Sequence, residues 1–211
     1  MSISWKNAFG FLLVIIIVGT GIRLYGLGNN SFVADEFLDI NSSYGYSQTG
    51  EWKAWDFNFG KEAEVNVNDA RDERAFVYKW QVAGLFHILP PTEATARLVS
   101  VLWGAVSIVV MFWTAYFYTR KRSVGLIAAF LFALSISGII FDRRLRMYAM
   151  FFPLYLGLAT ALYAFFESAY EGKKVLVKKI WDQYGVNIMY LLPLLALFGI
   201  SALVHGLTLS I

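Results

Sequence analysis

The sequence has no cysteine in its 211 residues and few charges: Asp, Glu, Lys and Arg together make up only 16%. The absence of cysteine excludes a disulfide framework, a thiolate metal site and a cysteine nucleophile. A soluble domain carries about 25% charged residues, so this chain has too little polar surface to enclose a water-soluble globule. Four prolines also exclude a proline-rich fibrous protein.

Apolar residues dominate the composition. Hydrophobic residues account for 58% and aromatic residues for 18%, with a mean hydropathy of +0.55, which excludes intrinsic disorder. The net charge of +3 is too small to indicate nucleic acid as a partner, and Lys and Arg occur in short clusters rather than along one stripe. The composition therefore indicates an integral membrane protein.

Five segments are long and apolar enough to cross a bilayer, whose core of about 30 Å requires roughly 20 helical residues. We predict spans at residues 8–27, 92–118, 123–141, 146–166 and 186–211, which is an all-α integral membrane fold. No small-residue cleavage site follows the first run, so we expect a retained helix rather than a signal peptide. The last run continues to the end of the sequence, and we interpret residues 1–211 as the N-terminal part of a longer membrane domain.

A long polar segment, residues 28–91, separates the first two predicted spans and holds most of the acidic residues. Its many aromatic residues are typical of short helices that lie at the membrane surface with their rings at headgroup level. The basic positions at Lys6, residues 119–122 and residues 171–179 fall on one side of a five-span arrangement. The positive-inside rule makes that side cytoplasmic and the long loop external.

One basic cluster lies on the opposite, outer side: Arg143, Arg144 and Arg146 fall between the third and fourth predicted spans. They could pair with the acidic loop or with lipid headgroups. Alternatively they form an anion site, because the planar guanidinium fork suits phosphate and a helix N-terminus also attracts anions. Arg23 and Arg97, at span ends on the same side, either anchor their helices at the interface or join this site.

Acidic residues follow the first span on the same outer side. Asp35 and Glu36 are adjacent, and Asp39 lies four residues after Asp35, on one face of a helix if this stretch is helical. Such carboxylates can act as a general base or bind a hard cation, or they can simply stabilise a helix N-terminus. His205, about 18 residues into the last span, is either a substrate contact or an ordinary interfacial residue.

The order of these features resembles the GT-C class of membrane glycosyltransferases, in particular the protein O-mannosyltransferase and aminoarabinose transferase-like families. Those families have an Asp-Glu pair after the first span, a Gly-x-x-Glu-x-x-x-Arg-Leu entry to the second span and an Arg-x-Tyr at the start of the fourth. The corresponding elements here are Asp35-Glu36, residues 93–98 (EATARL) and Arg146-Met147-Tyr148. Residues 74–80 (RAFVYKW) stand where the families have a Pro-Pro stretch.

The resemblance implies an inverting transfer of a sugar from a polyprenyl-phosphate donor to a lipid or protein acceptor at the outer face of the plasma (inner) membrane. Asp35 would be the base and Glu36 its support, while Arg146 with Arg143 or Arg144 would hold the lipid phosphate. Arg74, Lys79 and Tyr148 would line the substrate side. No cofactor is assigned and no nucleic acid is expected as a partner. The paired carboxylates leave a divalent cation as a further candidate ligand.

Two alternatives from other classes are a membrane transporter and a non-catalytic assembly protein that retains the fold. Transporters usually place ionisable residues or broken helices near the membrane midplane. The centres of the five predicted spans contain no Asp, Glu, Lys or Arg, and the charges gather at one rim. This pattern favours catalysis at the membrane surface.

Overall fold

The computed structural model describes residues 3–63, 75–205 and 208. Within these residues the regular secondary structure is helical except for one small hairpin. The elements are α1 (Trp5–Leu24), α2 (Ala34–Thr49), β1 (Trp55–Asp56), β2 (Lys61–Glu62), α3 (Phe76–Phe86), α4 (Glu93–Thr119), α5 (Arg122–Ala133), α6 (Ile136–Asp142), α7 (Tyr148–Glu167), α8 (Val175–Tyr184), a 3-10 turn (Ile188–Tyr190) and α9 (Leu191–Val204).

Three helices, α1, α4 and α7, are long and apolar enough to cross a membrane. Two further helix pairs meet the same criterion together: α5 with α6, bent by 63°, and α8 with Ile188–Val204, bent by 108°. The described part of the chain thus has three to five candidate spans, which indicates a multi-pass helical membrane protein. The predicted helices at 8–27, 92–118 and 146–166 are confirmed, each within three residues of its observed bounds.

The predicted third span, residues 123–141, is not one continuous helix. α5 ends at Ala133, and α6 begins after Ser135. The Ser135 hydroxyl caps α6 by accepting a hydrogen bond from the backbone N–H of Gly138 at 3.3 Å. A break in an apolar helix leaves carbonyl groups without partners, which is costly away from water. Here the Arg23 guanidinium donates to the carbonyl of Ala133 at 3.0 Å and compensates the break.

The segments between the spans contain more regular structure than the sequence indicated. Short helices in the long loop are confirmed as α2 and α3, but the antiparallel pairing of β1 with β2 was not predicted. Part of the basic stretch predicted as a loop is helix α8, which ends at Tyr184 and is capped by Gly185 with a left-handed φ of 68°. The predicted fifth span, residues 186–211, coincides with a helical stretch from Ile188 to Val204, which meets the criterion for a membrane span only together with α8. Residues 206–207 and 209–211 lie outside the described part of the chain.

Helix α4 is the central element of the bundle and packs against α1, α5 and α7. Two apolar clusters lie along it. One joins α4 to α1 and α5 through Ala8, Ile108, Phe112 and Ala129. The other joins α4 to α2, α3 and α7 and includes Leu145, which lies in the segment between α6 and α7. The second cluster packs α2, through Ile40, against the segment between α6 and α7, where the candidate site lies.

Candidate functional site

Asp35 and Arg146 come together at the start of α2. The Asp35 side chain is 72% exposed, and its Oδ2 lies 3.9 Å from Nη2 of Arg146. Arg146 also donates from Nη1 to the backbone carbonyl of Asp35 at 3.3 Å. An exposed carboxylate therefore stands beside a guanidinium supplied by the segment between α6 and α7.

Asp39, one turn further along α2, holds this arginine in place. Its buried carboxylate accepts from Nη1 of Arg146 at 3.0 Å and lies 3.9 Å from Nζ of Lys79. The Arg146 guanidinium stacks over the ring of Tyr148, 5.6 Å from the ring centroid. The i, i+4 spacing of Asp35 and Asp39 identified this shared face, but the sequence did not identify Asp39 as the closer partner of Arg146.

Asp35 and Glu36 do not form the predicted pair of catalytic carboxylates, because the Glu36 side chain is only 1% exposed. Its oxygens accept two hydrogen bonds from Arg97, at 2.8 Å each, and one each from the backbone N–H groups of Leu145 and Val33. Burial alone would raise the pKa of Glu36, but these hydrogen bonds outweigh it and lower the pKa below 4.5. Adjacent helical residues point about 100° apart, which separates the two carboxylates.

Arg97 also has a structural role, because its hydrogen-bond donors are all used within the chain. Besides its bonds to Glu36, it donates to the carbonyls of Leu27, Asn30 and Ser31 at 2.8–3.2 Å. These contacts use all five N–H groups of the guanidinium. Arg97 therefore ties the loop after α1 to the first turns of α2 and α4.

Arg23, the other arginine considered for the outer site, is fully buried. Its Nε donates to Oδ2 of Asp142 at 2.7 Å, and its Nη1 donates to the carbonyls of Gly19 and Ala133. These contacts join the end of α1 to the C-terminal ends of α5 and α6. Of the two alternatives given for Arg23, the one in which it joins the arginines after α6 is therefore wrong.

The three arginines after α6 do not act as one cluster. Arg146 faces Asp35 and Asp39, whereas Arg143 and Arg144 line a different cavity of about 350 Å³ beside the loop after α1. Leu145, which lies between Arg144 and Arg146 in sequence, is fully buried. The arginine side chains on either side of it therefore point in different directions. The predicted joint phosphate site of Arg146 with Arg143 or Arg144 is thus divided between two locations.

Lys79 is buried rather than lining an open substrate surface. Its Nζ donates to the hydroxyl of Ser42 at 3.2 Å and lies 5.9 Å from the ring centroid of Trp52. Arg74, the other basic residue predicted on the substrate side, lies outside the residues that the structure describes.

Tyr148 borders an apolar groove of about 700 Å³ at the α5–α6 break. The groove is lined by Phe132, Ser135, Ser137, Gly138, Phe141, Asp142, Tyr148, Phe151, Phe152 and Tyr155. His205 stacks obliquely on the lining residues Tyr148 and Phe151, with centroid separations of 5.6 Å and 5.1 Å. The groove therefore opens next to the ring that carries the Arg146 guanidinium.

A chain of hydroxyl groups that the sequence did not reveal supports the segment after α6. The Tyr78 hydroxyl lies 2.6 Å from Oγ of Ser100, and Ser100 donates to the carbonyl of Arg144 at 2.6 Å. Burial raises the pKa of Tyr78 well above its ordinary value, so the phenol stays protonated. Tyr78 and Ser100 become neighbours only because α3 packs against α4.

Within residues 3–63, 75–205 and 208, the structure has no group of three or more His, Cys, Asp and Glu side chains placed to hold a metal ion. Comparison of the chain with protein-family models, with curated proteins and with solved structures finds no match. The resemblance to the GT-C class therefore depends on the order and spacing of the motifs alone.

Proposed function

We propose that this chain is a membrane glycosyltransferase that moves a sugar, with inversion, from a polyprenyl-phosphate donor to an acceptor hydroxyl. The observation that carries the proposal is the exposed Asp35 carboxylate beside Arg146. Of the three acidic side chains on α2, Asp35 alone is exposed, while Glu36 and Asp39 are 1% and 9% exposed. A base must reach the proton it abstracts, so Asp35 is the candidate base.

In the proposed reaction, the acceptor oxygen forms a bond to the anomeric carbon while Asp35 takes the proton of the acceptor hydroxyl. The bond between the anomeric carbon and the phosphate oxygen breaks, and its electron pair leaves with the phosphate. Arg146 stabilises the charge that develops on this leaving group, a role that suits a guanidinium held in a fixed position. Asp39 keeps Arg146 in that position.

The apolar groove supports a lipid-linked donor. Tyr148 lines the groove and also stacks beneath the Arg146 guanidinium. A phosphate bound at Arg146 would therefore place an attached isoprenoid chain at the mouth of a cavity lined mainly by aromatic rings. The proposal places this site at the outer face of the plasma (inner) membrane, with the N-terminus cytoplasmic, a mannosyl-like sugar on the donor and a lipid or protein as acceptor.

The purified chain in lipid nanodiscs tests this proposal with radiolabelled polyprenyl-phosphate mannose and polyprenyl-phosphate aminoarabinose. We expect loss of the label from the lipid carrier and release of polyprenyl phosphate with at least one donor. Nucleotide-linked mannose serves as the control and should not be consumed. Intact lipid donors after incubation with folded protein and a range of acceptor hydroxyls would contradict the proposal.

Transport is a second candidate function, and the α5–α6 break favours it. Broken helices and buried ion pairs are recurrent features of transport sites. Arg23, which donates to the carbonyl of Ala133 at the break, forms an ion pair with Asp142, and the two side chains are 0% and 4% exposed. Uptake of labelled sugar phosphate into proteoliposomes distinguishes the two functions. If the protein is a transporter, uptake should depend on the Arg23–Asp142 pair and the donor should stay intact. If it is a transferase, cleavage of the donor should depend on Asp35.

A further inference from the structure

We infer that the cavity lined by Arg143 and Arg144 is an anion pocket that binds a phosphate group, separate from the Asp35–Arg146 pair. The cavity measures about 350 Å³ and lies between the loop after α1, the first turn of α2 and the end of α6. This size falls within the range of small-ligand sites. The inference goes beyond the proposed function, which assigns the donor phosphate to Arg146.

The charges around the cavity leave a positive excess. Arg97 and Glu36 both line it, but they are paired with each other and cancel. Arg143 donates to two uncharged carbonyls, those of Ile22 at 3.4 Å and Gly26 at 3.0 Å. The Arg144 side chain is exposed and makes no hydrogen bond or ion pair among the residues that the structure describes. Two positive charges therefore face the cavity without a counter-charge in the described part of the chain.

The available hydrogen-bond donors belong to the same two arginines. Arg97 has no free N–H group, because Glu36 and three carbonyls use all five. Arg144 keeps all of its donors, and Arg143 keeps those that do not contact Ile22 and Gly26. Two guanidinium forks can bind one phosphate by several charge-assisted hydrogen bonds, which is the strongest form of such recognition.

The backbone that carries these arginines is held before any ligand binds. Ser100 donates to the carbonyl of Arg144, and the N–H of Leu145 donates to Glu36 at 2.7 Å. Arg143 is restrained by its contacts with the end of α1. A pocket whose frame is already ordered loses less entropy when the ligand binds.

The cavity lining combines the two arginines with apolar side chains, so it suits either a phosphate attached to a lipid or a free phosphate ion. Leu27, Val33 and Ile140 form the apolar part of the wall. The headgroup of an anionic phospholipid fits this combination, and so does free phosphate. The shared chemistry is a tetrahedral phosphate that neutralises two guanidinium charges.

Titration of the purified full chain with inorganic phosphate, in uncharged detergent and followed by calorimetry, tests the inference. We expect saturable binding that weakens at least tenfold in Arg144→Gln and is lost in the double variant R143Q/R144Q. The control variant K178Q/K179Q removes the same charge from α8 and should bind phosphate like the wild type. Asp35→Asn should also retain binding, so that failure of this inference and failure of the proposed transferase are distinguishable.

The source of the phosphate is determined by a second arm in nanodiscs of phosphatidylcholine with or without phosphatidylglycerol. Native mass spectrometry counts the lipids that remain bound to wild type and R144Q. Selective retention of phosphatidylglycerol by the wild type supports a headgroup ligand, and phosphate binding without lipid retention supports the free anion. Equal behaviour of wild type and R144Q in both arms, with equal thermal midpoints in the absence of ligand, would overturn the inference.

Discussion

The carboxylate of Asp35 lies 3.9 Å from the guanidinium of Arg146, although 111 residues separate the two in sequence. The neighbouring Glu36 has the opposite environment, with four hydrogen bonds and almost no exposure. One turn of α2 thus presents one carboxylate to solvent and uses the next to hold the structure. This division of roles determines which variants should affect chemistry and which should affect folding.

Glu36→Gln should destabilise the protein by about 3 kcal/mol or more, because it leaves the charge of Arg97 buried without its partner. Thermal unfolding of both proteins in the same detergent measures the change. Glu51→Gln is the matched control: its side chain is 54% exposed and contacts Lys53 at 3.1 Å. The control should change the free energy of unfolding by less than about 1 kcal/mol. Equal midpoints for the wild type and the Glu36 variant would contradict the assignment of a structural role.

The contribution of Glu36 to stability should depend on pH in a defined direction. The pKa of Glu36 is lower in the folded protein than its ordinary value of 4.5. Above that value Glu36 is ionised in both states, and its contribution is complete. As the pH falls below 4.5 the unfolded state binds the proton first, so the contribution is lost towards the lower, folded pKa.

The difference in unfolding free energy between wild type and Glu36→Gln should therefore be constant from about pH 5 to 7 and shrink on further acidification. Chemical denaturation at a series of pH values measures this difference. A difference that grows as the pH falls would show that Glu36 is not stabilised in its charged form.

Gly104 of α4 should tolerate no side chain, because a Cβ there would lie 2.6 Å from Oδ2 of Asp142 and 2.7 Å from its Cγ. Gly104→Ala would displace Asp142 from Arg23, and we expect a loss of about 1–3 kcal/mol. Gly10→Ala in α1 is the control, since nothing lies within 4 Å of a Cβ at that position. A lower thermal midpoint for the first variant alone is the expected result; equal effects would show that Asp142 is not confined by α4.

The sequence was sufficient to predict the apolar helices because length and hydropathy act locally. The helices α1, α4 and α7 lie where uninterrupted apolar runs predicted them. The break between α5 and α6 was not predictable in this way. The break falls at Leu134 and Ser135, and neither is a proline or glycine that would signal it. The arginine that satisfies the free carbonyl of Ala133 is 110 residues away in sequence.

The sequence predicted which charged residues would lie near the candidate site, but not which arginine would pair with which carboxylate. Charge patterning indicated that acidic residues after the first span face arginines near the fourth, and Asp35 does approach Arg146. Yet the sequence cannot show which arginine pairs with which acid. Arg97 meets Glu36 across 61 residues, and Arg23 meets Asp142 across 119, because the packing of α4 brings these side chains together.

The apolar groove offers a test of the donor class. Ser137→Trp would fill the cavity that Ser137 lines and should raise the KM for a long-chain polyprenyl donor by about tenfold or more, with less effect on a short-chain analogue. Ile136→Trp is the control on the same helix, because Ile136 is 75% exposed and lies outside the groove lining. Steady-state kinetics with both donors measures the effect. Equal KM values for the two variants would remove the groove from donor binding.

Sugar transfer by Asp35→Asn, compared with wild type and Asp182→Asn, tests the central claim most directly. Asp182 is an exposed acid of α8, far along the chain from the site. We predict that Asp35→Asn lowers the transfer rate roughly 100-fold or more, because the amide cannot accept the proton of the acceptor. The thermal midpoint should stay close to that of the wild type, since the Asp35 side chain is exposed. Transfer by Asp35→Asn at the wild-type rate would contradict the account.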